Sequence, residues 1–212
     1  MTILPSTIPI FPLFNTVLFP SVFLPLHIFE PRYRAMVADA LRGDRIIGLV
    51  LLRPGWEHDY DGRPDVYPIG CAGLITHAEA LADGRYNIIL QGLEKFRILA
   101  EQDDRDYRLA HVEGIAEQLP SLETDALAEA RRRLESALRA NQAGRRHDAM
   151  MPSSMPAEEL INGLSQYLEL EPLERQALLE RDGPVERCRS LVELLEMKVL
   201  AAGRPGRAGR VH

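Results

Sequence analysis

The most constraining feature of this sequence is an abrupt change of pattern near Pro120. Before it, short apolar runs of strand length alternate with turn residues. After it, apolar residues recur every three or four positions, as on one face of a helix. Strands followed by helices are typical of an α+β chain. We predict a β-rich part over residues 1–118, a helical part over 119–200, and a disordered Gly- and Arg-rich tail over 201–212.

Several apolar runs in the first part are predicted to be strands. Asp83-Gly84 stands between two of them and favours a tight hairpin turn, because Gly accepts a positive φ. Many short strands with tight turns indicate a small barrel or a folded sheet, with the continuously apolar run 46–52 as a central strand. The predicted strands are 8–13, 22–29, 46–52, 69–80, 86–91, 96–99 and 108–115.

Helices are predicted from helical spacing and from the residues that bound them. Pro31 suits the first position of a helix in the β-rich part, and Gly43 suits the position after its last turn. The remaining helices are predicted over 122–141, after Pro156, from Pro172 to about 179, and after Pro184.

Charge and composition narrow the classes of function. The net charge of −6 argues against a dedicated nucleic-acid binder, which needs a cationic surface. No run approaches the roughly 20 apolar residues of a membrane helix, and residues 1–12 contain no Lys or Arg that could begin a secretory signal. Cys71 and Cys188 lie far apart in apolar surroundings, typical of buried thiols in a reducing compartment. We predict a cytoplasmic protein without a membrane partner and leave its oligomeric state open.

Motifs for covalent or nucleotide chemistry are absent from the sequence. Neither lysine, Lys95 or Lys198, follows a Gly, so no phosphate-binding P-loop can be written. Neither has the setting of a catalytic Ser-Lys dyad, and Ser165 lacks the second Gly of a nucleophile elbow. We predict no enzymatic activity and no cofactor.

A long charged segment, 53–68, follows the predicted central strand. Loops of this length are either functional or mobile. His58, Asp59 and Asp61 could hold a weakly bound metal, but a solvated acidic loop is the favoured interpretation, so we predict no metal site.

Six short segments form a recognisable set when they are taken together and in their order along the chain. They are FPLFNTVLFP at 11–20, LPLHIFEPRY at 24–33, GCAGLI at 70–75, DGRYNIILQG at 83–92, FRI at 96–98 and QALLE at 176–180. Together they resemble the Lon N-terminal (LON substrate-binding) domain family, and the resemblance runs from about residue 8 to 199. One departure is Lys95, where family members commonly carry Arg, which puts a bidentate contact there in doubt.

The resemblance implies both a fold and a role. The implied fold is a PUA-like β pseudo-barrel followed by a helical bundle. The implied role is that of a stand-alone substrate-recognition domain without AAA+ or protease domains, which binds unfolded polypeptide or a protein partner. Two alternatives stay open: a small-molecule sensor with a pocket in the barrel, and an RNA-binding protein. Fold alone is weak evidence for any of them.

Six residues are predicted to have mainly structural roles. Glu30 precedes Pro31 at a helix N-cap position, where a carboxylate satisfies free N–H groups. Our hypothesis is that Glu30 also pairs with Arg97 or Arg85 and pins the helix to the barrel. The structural set is Glu30, Arg32, Tyr33, Asp83, Gly84 and Arg97.

Four residues are predicted to contact a ligand or partner. Met150, Met151 and Met155 form the best candidate surface, because methionine adapts to varied apolar partners; the alternative is a linker whose methionines tuck under the bundle. Arg85 is the fourth, since it could line a groove beside the hairpin turn.

Overall fold

A computed structural model describes residues 4–60, 62–102, 105–117, 124–141 and 155–202. The described residues form an α+β fold with six strands and five α-helices. The strands are β1 (Thr7–Leu13), β2 (Phe23–Ile28), β3 (Ile46–Leu51), β4 (Ile69–Ala80), β5 (Tyr86–Gln102) and β6 (Leu109–Ile115). The helices are α1 (Pro31–Arg42), α2 (Thr124–Asn141), α3 (Ala157–Tyr167), α4 (Pro172–Leu179) and α5 (Pro184–Ala202).

The sheet is mixed and joins back on itself. Its strand order is β2-β5-β4-β3-β1-β6, and an additional pairing between β5 and β6 links the strands from β5 to β6 into a closed ring. Only the β1–β3 pair is parallel among the described strand pairs. The apolar run at 46–52 supplies β3, which is buried along its whole length between β1 and β4, as predicted for a central strand.

One strand prediction is wrong. The runs 86–91 and 96–99 were expected to be separate strands, but they belong to the continuous 17-residue strand β5. Gly92 lies between them and does not break the strand. A Cβ at Gly92 would lie 2.0 Å from the carbonyl oxygen of Phe19. Gly92 therefore marks a close backbone approach, and the pairing of β4 with β5 skips Leu93, as in a β-bulge.

The apolar core runs from the strands into the helices. One cluster of buried side chains contains Phe11 and Leu90 from the strands together with Leu134, Ile161 and Leu191 from the helices. A second cluster, which includes Ile8, Ile10, Phe96 and Val112, belongs to the strands. Cys71 and Cys188 are both buried in this interior, and burial raises the pKa of each thiol, to about 12 for Cys188.

A buried ionic network also joins the two parts of the chain. The ammonium of Lys95 on β5 lies 3.0 Å from the Glu117 carboxylate and donates to the carbonyl of Arg181 at 2.5 Å. Lys95 is only 2% exposed. Lys95, the residue that departs from the family pattern, therefore anchors β5 to the turn between α4 and α5 and is not a surface charge.

Arg187 on α5 completes this network. Its fully buried guanidinium pairs with Glu117, donates to the Leu178 carbonyl at 3.1 Å and to Asn162 Oδ1 at 2.5 Å. Asn162 in turn donates to the carbonyl of Pro20 at 3.1 Å, so its position depends on the β-rich part. One set of hydrogen bonds thus joins three helices to the strands. Buried ions are stable only when such bonds satisfy them.

Candidate functional site

A cavity of about 300 Å³ opens where α1 begins. Its walls come from α1, from the loop between β3 and β4, and from the loop between β5 and β6. The lining residues are Pro12, Arg32, Tyr33, Leu52, Tyr60, Gly62, Arg63, Pro64, Arg105, Asp106, Tyr107 and Arg108. Four guanidinium groups and three phenol rings therefore meet at one place in the fold.

The loop between β3 and β4 covers the first turn of α1. Arg32 lies between two aromatic rings, with its guanidinium carbon 4.8 Å from the Tyr33 ring centre and 5.2 Å from that of Tyr60. Its Nη2 lies 3.0 Å from Glu30 Oε2, and the Tyr60 hydroxyl donates to Glu30 Oε1 at 2.6 Å. Burial raises the pKa of Tyr33 to about 12, so this phenol stays protonated.

The predicted role of Glu30 is only partly right. Glu30 is the N-cap residue of α1, but its side chain makes no capping hydrogen bond. The hypothesis that Glu30 pairs with Arg97 or Arg85 is wrong, because its carboxylate binds Arg32 and Tyr60. The hydrogen bonds from the Tyr60 hydroxyl to Glu30 and from Arg32 to the Tyr60 carbonyl therefore fasten the β3–β4 loop to the start of α1.

The opposite wall of the cavity is fastened to α1 through Asp39. The Tyr107 hydroxyl donates to Asp39 Oδ2 at 2.7 Å, and Arg105 donates to the same oxygen at 2.6 Å. The hydrogen bond from Tyr107, with help from Arg42, lowers the pKa of Asp39. Arg108 donates to Glu101 through Nε at 2.7 Å and through Nη2 at 2.5 Å, and to the Pro64 carbonyl through Nη1 at 2.7 Å.

Aromatic side chains continue outward from the cavity. The rings of Phe14 and Trp56 stack with their centres 4.9 Å apart, and Trp56 meets Tyr60 edge-on at 5.6 Å. Phe14 is 47% exposed, so this aromatic rim, formed by Phe14, Trp56 and Tyr60, is accessible. Trp56 is the only tryptophan of the chain.

A second concave surface of about 780 Å³ lies between α2 and α5. Apolar residues predominate along it, and charged residues stand among them. The lining residues are Ala130, Arg133, Ser136, Ala137, Cys188, Arg189, Val192, Glu193, Glu196, Val199 and Leu200. Leu200 is 69% exposed, so the end of this α2–α5 groove presents apolar surface to solvent.

The predicted hairpin residues form a self-contained turn. Gly84 has a φ of 79°, as the Asp-Gly pattern requires, and Asp83 pairs with Arg85 at 2.6 Å. Hydrogen bonds from Arg85 lower the pKa of Asp83 to about 2. Arg85 also contacts His27 Nε2 at 3.2 Å, and it lines neither the cavity nor the groove described above.

The remaining predicted site residues lie apart from the cavity. Arg97 is exposed on β5, where it pairs in register with Ile69 and Glu113. Met155 is half-buried, and its carbonyl accepts a hydrogen bond from Arg131. Met150 and Met151 lie outside the described residues.

Sequence reasoning missed most of the cavity. It named Arg32 and Tyr33 as mainly structural residues, and in the long loop 53–68 it weighed His58, Asp59 and Asp61 as a weak metal site without selecting Tyr60 or Arg63. The Trp and Tyr residues of that loop were the available signal. Nothing local marks Arg105, Tyr107 and Arg108, because they acquire their neighbours only when β5 and β6 pair.

Within the described residues, no cluster of three or more His, Cys, Asp or Glu side chains has the arrangement of a metal site. Over the same residues, no helix combines the length and apolarity needed to cross a membrane.

Comparison with solved structures identifies the fold. A Lon N-terminal domain protein from Xanthomonas campestris matches 95% of this chain and 100% of its own, with a TM-score of 0.57 and 22% identity. The N-terminal domain of a Mycobacterium avium complex Lon protease matches 90% of this chain and 98% of its own, with a TM-score of 0.63 and 16% identity. At these identities the likeness defines the class of fold, that of Lon N-terminal domains.

Sequence comparison then identifies the family. Residues 7–197 match the family described as the ATP-dependent protease La (LON) substrate-binding domain, and the chain belongs to this family. Curated relatives include a Lon protease of Anaeromyxobacter dehalogenans (27% identity over 92% of this chain) and Lon protease 2 of Myxococcus xanthus (29% over 92%). The aligned region spans 22% and 24% of these two proteins.

Proposed function

We propose that this protein is a non-catalytic binding protein that recognises polypeptide segments or a protein partner. The observation that carries the proposal is the match to the LON substrate-binding family over residues 7–197. The matched family concerns substrate binding, and the sequence contains no P-loop and no evident Ser-Lys dyad. The mechanism is reversible burial of apolar side chains without a covalent step, and the proposed location is the cytoplasm.

The closed ring of strands and the helices that follow it support a finer assignment of the fold. The ring formed by β5, β4, β3, β1 and β6 is what a PUA-like pseudo-barrel requires. Contacts of α5 with α2, α3 and α4 suit a helical bundle. We propose that residues 1–118 and 119–200 form these two subdomains, packed on the shared core described above.

Of two surfaces that could take a polypeptide, the outer edge of β2 and the α2–α5 groove, the groove is the better supported. A peptide could add to the outer edge of β2, but Pro25 has no N–H to offer there, and the Tyr167 hydroxyl already binds the Phe23 carbonyl. The α2–α5 groove is larger than the cavity at the start of α1 and has exposed apolar residues at its end. An apolar segment laid along it buries Val192, Val199 and Leu200.

The methionine surface remains part of the proposal. The hydrogen bond from Arg131 to the Met155 carbonyl places one end of this segment beside α2. We propose that Met150 and Met151 contribute apolar contacts to the same bound polypeptide.

The test measures binding of a fluorescently labelled, permanently unfolded polypeptide by anisotropy. We expect the double variant Val199→Ser/Leu200→Ser to weaken binding about tenfold, since two exposed apolar side chains are lost. Met150→Ser/Met151→Ser should weaken it by a smaller factor. Leu99→Ser is the matched control, because Leu99 is 62% exposed on β5 and lies outside the groove.

Each outcome decides a separate part of the proposal. Unchanged affinity in the Val199/Leu200 variant would exclude the groove, and unchanged affinity in the Met150/Met151 variant would exclude the methionine surface. A wild-type protein that binds no unfolded polypeptide, and that captures no specific protein from its own cell lysate, would contradict the proposed function.

A further inference from the structure

The cavity at the start of α1 has an unusual balance of charge. Among the described residues that line it, there are four guanidinium groups and one carboxylate, Asp106. Arg32, Arg105 and Arg108 pair with the carboxylates of Glu30, Asp39 and Glu101, respectively. None of the three partners lines the cavity. The partners therefore hold the guanidiniums in place from behind, while the cavity wall itself is cationic.

Two of the cavity arginines, Arg32 and Arg108, are held in fixed positions. Arg108 is 9% exposed, and Glu101 and the Pro64 carbonyl accept hydrogen bonds from all three of its guanidinium nitrogens. Arg32 is held between the rings of Tyr33 and Tyr60 and by Glu30. A guanidinium has five N–H donors, so an arginine held by one carboxylate retains donors for a second acceptor. Fixed planar donors of this kind suit carboxylate ligands, because little side-chain entropy is lost on binding.

The aromatic rings around the cavity indicate which chemical group a bound carboxylate would carry with it. Tyr33, Tyr60 and Tyr107 line the cavity, and Tyr60 connects it to the Phe14–Trp56 stack at the rim. Aromatic side chains favour offset stacking or edge-to-face contact with another ring. The volume of about 300 Å³ is at the lower end of the range for ligand pockets, which suits one residue-sized group.

We propose that this cavity binds a carboxylate whose carrier also places an aromatic ring against the Phe14–Trp56–Tyr60 rim. Two sources have this chemistry: the end of a polypeptide whose last residue is aromatic, and a free aromatic acid. The site is separate from the α2–α5 groove, and the proposal holds whether or not that groove binds polypeptide.

Trp56 provides the readout, since it is the only tryptophan and its ring contacts Tyr60 in the cavity wall. The fluorescence of Trp56 is followed while N-acetylphenylalanine is added to the full chain. We expect a saturable change with N-acetylphenylalanine and at least tenfold weaker binding of its amide, which lacks the charge. Equal binding of acid and amide, or no saturable change with either, overturns the proposal.

Two further ligands separate the components of the site. The tripeptide Ala-Ala-Phe with a free carboxyl end should bind, and its amidated form should bind at least tenfold more weakly. Tighter binding of the tripeptide than of N-acetylphenylalanine assigns the site to polypeptide ends, and tighter binding of the free acid assigns it to small aromatic acids. If inorganic phosphate binds as tightly as Ala-Ala-Phe or N-acetylphenylalanine, the ligand needs no aromatic ring and the proposal is overturned.

Variants confirm where the ligand sits. Arg32→Gln and Arg63→Gln should each weaken binding about tenfold or more, because each removes a charged donor from the wall. Arg132→Gln is the matched control, an exposed arginine on α2 outside the cavity, and should leave affinity unchanged. Arg63 is exposed, so the Arg63→Gln variant tests the cavity even if Arg32→Gln fails to fold. Wild-type affinity in Arg63→Gln, or an equal loss in Arg132→Gln, would count against this cavity.

Discussion

At the scale of single residues, Glu30 shows how a short polar side chain organises a much longer loop. The motif around it predicted a helix start, and a helix does start at Pro31. Its carboxylate, however, binds Arg32 two residues away and Tyr60 thirty residues away. The loop between β3 and β4 is therefore held in place by a residue that belongs to the neighbouring helix.

Glu30→Gln removes the charge from this interaction while keeping the shape of the side chain. We expect the free energy of unfolding to fall by about 1 kcal/mol, because a partly buried charge-assisted hydrogen bond is replaced by a neutral one. Urea denaturation measures the change. Glu57→Gln, an exposed glutamate in the same loop, is the control and should have no effect. A fall of the same size in both variants would assign the effect to net charge.

At the scale of elements, β5 demonstrates that a glycine can keep a long strand continuous. Pairing with β2, β4 and β6 places β5 at the centre of the strand arrangement, where the chain must pass close to the Phe19 carbonyl. A strand of 17 residues accommodates this approach through Gly92 and through the skipped residue Leu93. A side chain at position 92 would push the two backbones apart.

Two glycine substitutions test this interpretation in opposite directions. Gly92→Ala should lower the free energy of unfolding by about 1–3 kcal/mol, since its Cβ would lie 2.0 Å from a backbone oxygen. Gly163→Ala should raise it by about 0.5–1 kcal/mol, since Gly163 lies within α3 with no atom in the path of a Cβ. Thermal melts of both variants provide the measurement. Destabilisation by Gly163→Ala equal to that by Gly92→Ala would remove the argument from close approach.

At the scale of the whole molecule, the network of Lys95, Glu117 and Arg187 makes the free energy of unfolding depend on pH. Burial alone would raise the pKa of Glu117, but the hydrogen bond from Arg187 and the charges of Arg187 and Lys95 lower it on balance. A carboxyl whose pKa is lower in the folded state contributes stability above its unfolded pKa of about 4.3. That contribution is lost as the pH falls through the folded pKa.

Glu117→Gln should therefore change both the stability and its pH dependence. At pH 7 we expect a loss of about 3–5 kcal/mol, because the variant leaves the charges of Lys95 and Arg187 buried without a counter-charge. Between pH 5 and pH 3 the variant should lose stability less steeply than the wild type. Urea denaturation across this range measures both effects, and parallel pH profiles would contradict the role assigned to Glu117.

Local patterns in the chain were sufficient for the family and for most of the elements, although they divided the single strand β5 into two. Proline and glycine positions marked the bounds of α1, α3, α4 and α5, and the apolar run at 46–52 marked the central strand. These features depend on a few neighbouring residues, whose backbone preferences and spacing act wherever they occur. The ordered motifs, spread from residue 11 to residue 180, identified a family that the match over residues 7–197 confirms.

The tertiary structure alone decided which distant residues meet. The cavity combines residues 12, 32, 52 and 105–108, and the buried network combines Lys95, Glu117 and Arg187. These groups are brought together by the pairing of β5 with β6 and by the packing of α5 on the strands, which no local pattern encodes. Charge partners also follow from this packing, since a buried ion requires a nearby counter-charge wherever in the sequence it lies. That is why Glu30 was placed correctly at a helix start and paired wrongly with Arg97 or Arg85.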